Sequence, residues 1–314
     1  MLRSDPGRVN VQSLVAADLD DKRLLVVTGK GGVGKTTLSA ALALRSARAG
    51  RRTLVCEVNT QERVTALLGK APVGPEVTAI DENLWSVDVR PQEAMREYAL
   101  MILKFESIYS AVFENRLVRY FLRFIPSLQE LVLLGKILFH LKEKRPDGSW
   151  RFDQVIIDAP ATGHAITFLS VPQVLLDTIP PGAMASEVTW MRDFLIDATT
   201  TAVVLVSLPE ELPVNETLEL HAALSKRVKM HPRLVVLNGF IDRRFAPEAL
   251  PPEVPDALRE VARVHEVRAE MSYAAADRLK TLGVPLLTVP RLYLPEFGKA
   301  AIEDIAKRLD GGAP

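Results

Sequence analysis

Two lysines set in one glycine-rich run, Lys30 and Lys35, are the residues of this chain best equipped to do chemistry. The run reads Thr28-Gly29-Lys30-Gly31-Gly32-Val33-Gly34-Lys35-Thr36-Thr37. It is a complete phosphate-binding loop with an extra lysine near its start. Glycines let successive backbone N–H groups turn inward around an anion, and a helix N-terminus behind them adds partial positive charge. In such a loop Gly29, Gly31, Gly32, Val33, Gly34 and Thr37 form the cradle. Lys35 reaches the β- and γ-phosphates, and the Thr36 hydroxyl ligates Mg²⁺. The chain is therefore predicted to bind ATP with magnesium.

A second motif supplies the carboxylate that such a site needs. Ile156-Ile157-Asp158-Ala159-Pro160-Ala161-Thr162-Gly163-His164 places Asp158 at the end of a buried-type apolar run. An Asp there holds Mg²⁺, usually through a water. The Pro160–Gly163 stretch is expected to form a mobile loop near the γ-phosphate. His164 either senses that phosphate or caps the following helix.

The elements that position these groups follow from the hydrophobic pattern. Apolar, non-alternating runs at 23–28, 52–58, 84–89, 152–158, 201–207, 233–238 and 284–289 read as buried strands, with helical patterns between them. This predicts an α/β fold, a doubly wound and mostly parallel sheet, in a domain at 23–314 behind a leader at 1–22. From Gln92 to Lys144 the period is helical. Met95, Tyr98, Ile102, Phe105, Tyr109 and Val112 recur at three- and four-residue spacing, as do Leu128, Leu131, Leu134, Leu138 and Leu141. A helical subdomain is thus expected at about 90–146, helped by 172–199. Its apolar residues either line a groove or simply pack as core. A long polar helix is also expected over 257–282 and a short C-terminal one over 298–309.

Composition narrows the function. Of 314 residues 48% are apolar, enough for a large core. Lys+Arg and Asp+Glu each number 39, and the neutral balance argues against nucleic acid as a partner. The first residues carry no apolar signal segment, and no apolar run is long enough to span a bilayer. A cytoplasmic protein is expected, touching membranes only peripherally if at all. The single cysteine, Cys56, fits a reducing compartment.

The phosphate loop together with Asp158-Ala-Pro-Ala-Thr-Gly-His-Ala-Ile-Thr-Phe-Leu169 resembles the arsenite-pump ATPases and the tail-anchored-protein targeting ATPases. These are relatives of the ParA, MinD and nitrogenase iron-protein ATPases. Pro209 to Thr217 resembles a further stretch of the arsenite-pump branch. The resemblance implies a dimer, either of this chain with itself or with a paralogous chain. It makes Lys30 the intruding lysine that crosses the interface to the partner's nucleotide, where it would stabilise developing charge. It also makes Asn238 the reader of the adenine edge, the alternative being an Asn-Gly turn.

The chain departs from that family where an Asp normally orients the attacking water. Asn59 stands there, and an amide positions water without accepting its proton. Hydrolysis is expected to be slow, with Glu57 or Glu62 assisting, unless Glu57 is a structural carboxylate. One cysteine can build neither an interfacial zinc site nor a soft metalloid site, so no zinc and no arsenite transport are expected. By the same resemblance the helical subdomain would shield a protein client that presents an apolar helix. The alternatives are an ATP latch with little or no turnover, and a positioning ATPase of the ParA/MinD type.

Overall fold

The computed structural model describes residues 18–58, 63–91, 94, 128–244, 250–251 and 253–310. Asn59, Glu62, most of the leader, and the first half of the helical insertion (Met95 through Val112 among it) lie outside the described residues.

Strand β1 (Leu24–Gly29) is followed by α1 (Lys35–Arg48), β2 (Thr53–Val58), α2 (Arg63–Leu67), β3 (Thr78–Asp81) and β4 (Leu84–Val89). Next come α3 (Leu128–Lys142), β5 (Gln154–Ala161), α4 (Thr162–Leu176), α5 (Ala183–Ile196), β6 (Thr201–Ser207) and α6 (Glu211–Ala223). The chain closes with β7 (Pro232–Phe240), α7 (Asp256–Lys280), β8 (Leu286–Pro290) and α8 (Lys299–Leu309). Among the described residues the strands form one eight-stranded sheet in the order β3-β4-β2-β5-β1-β6-β7-β8. Every pairing is parallel except β3 with β4. This is the expected doubly wound α/β fold, with seven predicted strands in place and one added.

The added strand is β3. Its Thr-Ala-Ile-Asp sequence is short and mostly exposed, with Ile80 alone buried. An edge strand that covers little apolar surface leaves almost no pattern to read.

Central strands are buried on both faces, which is why their sequences run apolar without alternation. In β1, Leu24 and Val26 pack on one face with residues of α3, α4, α5, α6 and α7. Leu25 and Val27 pack on the other with α1, α2 and α8. Of the expected insertion, helix α3 is described. Leu131, Leu134, Leu138 and Leu141 are all buried in the sheet cluster, so these residues pack as core. The apolar face of α8 (Ala301, Ile302, Ile305, Ala306 and Leu309) is likewise buried, in the cluster that contains α1.

Candidate functional site

Chain direction reverses between the neighbours β1 and β5. From β1 the chain winds outward to β2 on the far side of β5, whereas from β5 it winds to β6 on the far side of β1. Such a switch point opens a crevice at the C-terminal strand ends, where α/β proteins bind ligands. The phosphate loop emerges there from β1. Gly29 has φ of 155°, and a Cβ on it would lie 2.2 Å from the Val206 carbonyl oxygen. Gly34, the N-cap of α1, has φ of 95°, and a Cβ on it would lie 2.3 Å from Asn238 Nδ2. Only glycine satisfies both demands at these two positions.

Lys35, Thr36 and Asp158 converge behind the loop. In the parallel register Asp158 of β5 sits beside Val27 of β1 and is only 1% exposed. The Thr36 hydroxyl donates to Asp158 Oδ2 at 2.7 Å, and Ser39 Oγ donates to Oδ1 at 3.3 Å. Burial raises the Asp158 carboxyl above the ordinary carboxylate range, against the pull of the Thr36 bond and the Lys35 charge. Lys35 Nζ donates to the Lys30 carbonyl at 3.0 Å, and burial lowers its pKa although Asp158 opposes the shift. Thr36 and Asp158 present adjacent hard oxygens beside the anion cradle, a donor set that fits Mg²⁺.

These groups line a cavity of about 860 Å³, within the range of small-molecule sites. Gly31, Gly32, Gly34 and Thr37 contribute from the loop side, Arg63 from α2, Glu130 from α3, and His164 from α4. His164 is the third residue of α4 and faces the cavity exposed; the helix N-cap is Ala161, so His164 does not cap it. The predicted mobile loop at 160–163 is absent. β5 runs through Ala161 and α4 begins at Thr162, because the strand passes directly into the helix.

Lys30 lies on the loop with its Nζ 2.9 Å from Glu216 Oε1 of α6. Glu216 Oε2 in turn accepts from Thr162 Oγ1 at 3.2 Å. One carboxylate thus joins the loop, α4 and α6. Asn238 lies within β7, where the strand register shifts between it and Phe240, so the Asn-Gly pair makes a bulge rather than a hairpin turn. Its Nδ2 donates to the Val33 carbonyl at 2.9 Å and braces the loop. Glu57 is fully buried. Its Oε2 accepts the Val64 N–H at 3.1 Å and its Oε1 the Ser86 hydroxyl at 3.4 Å.

Sequence reasoning missed Glu216 and Arg63. The Lys30–Glu216 contact spans 186 positions, and no local spacing signals it. Arg63 follows the segment where the chain departs from the family pattern at Asn59, and no motif position marks it. Among the described residues no group of three or more His, Cys, Asp or Glu gathers as a metal site, and no helix is long and apolar enough to cross a membrane. Cys56 is buried, and that burial pushes its thiol pKa up, away from the reactive thiolate.

Comparison with known proteins agrees with the fold and the motif. Residues 22–180 match the family described as anion-transporting ATPase. ATPase BagA of Mycobacterium tuberculosis is 30% identical over 239 residues, covering 74% of this chain and 69% of that protein. A putative arsenical pump-driving ATPase of Prosthecochloris vibrioformis is 31% identical over 154 residues, 49% of this chain and 36% of its own length. ATPase GET3 of Mycosarcoma maydis is 30% identical over 161 residues, 50% of this chain and 45% of that protein. A phosphate loop at the switch point of a doubly wound sheet, and a family match over half the chain, lead to one assignment: this chain belongs to the anion-transporting ATPase family.

Proposed function

We propose that the chain is a magnesium-dependent ATPase that works as a dimer and couples its nucleotide state to a protein client. The observation that carries this reading is the meeting of Lys35, Thr36 and Asp158 at the phosphate loop, with Thr36 Oγ1 and Asp158 Oδ2 2.7 Å apart. Backbone N–H groups of residues 31–35 cradle the phosphates, and Lys35 neutralises their charge. Thr36 and Asp158 would hold the magnesium, which would supply charge neutralisation to the phosphates. Lys30 completes the charge field in the partner's site after leaving Glu216. Asn59 orients water without taking its proton, which makes turnover slow.

An ATP latch with little turnover is the second reading. The specific observation in its favour is the Lys30–Glu216 pair at 2.9 Å, which keeps the lysine on its own chain. A positioning ATPase with a C-terminal membrane helix is disfavoured, since the apolar face of α8 is already buried. Arsenite transport has no soft-ligand site among the described residues to support it.

Phosphate release with Mg²⁺-ATP at several protein concentrations separates these readings. A rate per chain that rises with concentration supports hydrolysis across a dimer. ATP bound without turnover supports the latch. Lys35→Ala is expected to lower ATP affinity by at least about tenfold, the loss of a charged contact. Unchanged binding and turnover in that variant would remove the phosphate-site assignment.

A further inference from the structure

Three adjacent strand ends surround the cavity, in the order β2, β5, β1. The phosphate loop follows β1, Asp158 lies in β5, and Arg63 opens α2 just beyond β2. Asp158 is therefore flanked by Lys35 on one side and Arg63 on the other. Both cations line the same cavity, and both draw on the Asp158 carboxylate electrostatically. Arg63 itself is exposed, and among the described residues no carboxylate pairs with it. Lys30, by contrast, is neutralised by Glu216. The backbone behind Arg63 is held, because the next residue, Val64, donates its N–H to the buried Glu57 at 3.1 Å. The result is a solvated guanidinium on a fixed base, facing an anion site from the side opposite the loop.

We propose that Arg63 contacts the terminal phosphate of a bound nucleoside triphosphate and so distinguishes triphosphate from diphosphate. The loop and Lys35 suffice for the phosphates nearest α1. A third phosphate extends the charge past Asp158 toward the β2 side, where Arg63 meets it. A guanidinium fork engages two phosphate oxygens at once, which a lysine ammonium cannot reproduce. The inference rests on the nucleotide site proposed above and assigns it a residue that no motif marks.

Calorimetric titration of the full chain with a non-hydrolysable ATP analogue and with ADP, both with Mg²⁺, tests it in wild type, Arg63→Gln, Arg63→Lys and Lys35→Ala. Arg63→Gln is expected to weaken triphosphate binding about tenfold, the loss of one charged contact. ADP binding should stay within about twofold, because a contact to the terminal phosphate alone adds nothing to a diphosphate. Arg63→Lys should fall between, keeping charge but losing the fork. Melting temperatures should match wild type, since the side chain is exposed. A triphosphate-to-diphosphate ratio in Arg63→Gln equal to that of wild type would overturn the proposal and leave Arg63 a solvated surface residue. Loss of ADP binding in Lys35→Ala alone would meanwhile uphold the nucleotide site. A wild-type chain that binds neither nucleotide overturns the site reading and this proposal together.

Discussion

In the dimer proposed above, Lys30 is the residue that would decide whether hydrolysis is confined to one chain. Its pair with Glu216 is about a quarter exposed on each side, 26% and 27%, and solvent screening keeps such a contact near about 1 kcal/mol. That is small against the field of a triphosphate, so the lysine can leave Glu216 once a partner's nucleotide competes for it. Asp158 is different: two hydroxyl donors and deep burial hold it in place. The prediction at this scale is that Lys30→Ala lowers turnover by about 10³-fold or more, the effect of removing a charge-stabilising finger. Nucleotide affinity should change by less than about threefold, because the interaction is made chiefly in the transition state. Equal steady-state turnover in wild type and variant would confine Lys30 to its Glu216 contact.

Helix α3 shows how an element's sequence outlines its role while leaving the environment open. Leu131, Val132, Leu133 and Leu134 are consecutive and all buried, and an all-round apolar helix is a core helix. A groove helix would need one apolar stripe facing solvent. Leu138 is fully buried in the sheet cluster, so Leu138→Ala should cost about 2–5 kcal/mol in unfolding free energy, measurable by urea denaturation. A loss below about 0.5 kcal/mol would return the side chain to a solvent-facing surface. Phe139, on the same helix, is 42% exposed and is expected to tolerate truncation far better. Leu131 and Leu138, being core, are therefore not the residues to which the client capture proposed above would fall.

Across the whole molecule, the starts of β2 and β5 are clamped by Arg52 and Asp153. Arg52 donates to Asp153 from its guanidinium at 2.7 and 3.0 Å and from its backbone N–H at 2.9 Å. The side-chain bond from Arg52 is the main cause that holds the Asp153 carboxyl below its ordinary range. A depressed carboxyl pKa contributes stability fully above the unfolded value, about 3.9, and loses it as the pH falls through the folded value. Acidification below about pH 4 should therefore destabilise wild type through this pair. Asp153→Asn should cost about 1 kcal/mol or less at neutral pH, a partly exposed pair, and should flatten that part of the acid transition. Melting temperature followed from pH 6 to pH 3 checks it, and parallel curves for the two proteins would show that the clamp carries no acid sensitivity. At the same end of the sheet, Arg45 in the last turn of α1 pairs with Asp20 and Asp310, tying the segment before β1 and the end of α8 to the helix that follows the phosphate loop.

The sequence by itself determined what is local. A phosphate loop is a contiguous run whose backbone N–H groups and glycine torsions act within ten residues, so its chemistry was readable before any fold. Buried parallel strands announce themselves by unbroken apolar runs, and seven were placed within a few residues of their observed bounds. The family resemblance rested on these same contiguous motifs. Tertiary structure alone decided the rest. The meeting of Thr36 with Asp158 spans 122 positions, and that of Lys30 with Glu216 spans 186. Such contacts depend on strand order, which no local period encodes. Hydrogen-bond partners likewise separate Glu57, which accepts from Val64 and Ser86, from Asp158, which accepts from Thr36 beside the phosphate loop; both are buried and both end an apolar run. Arg63 belongs to the same class: an exposed arginine in a short helix has no pattern of its own, and becomes a candidate only because β2 lies beside β5.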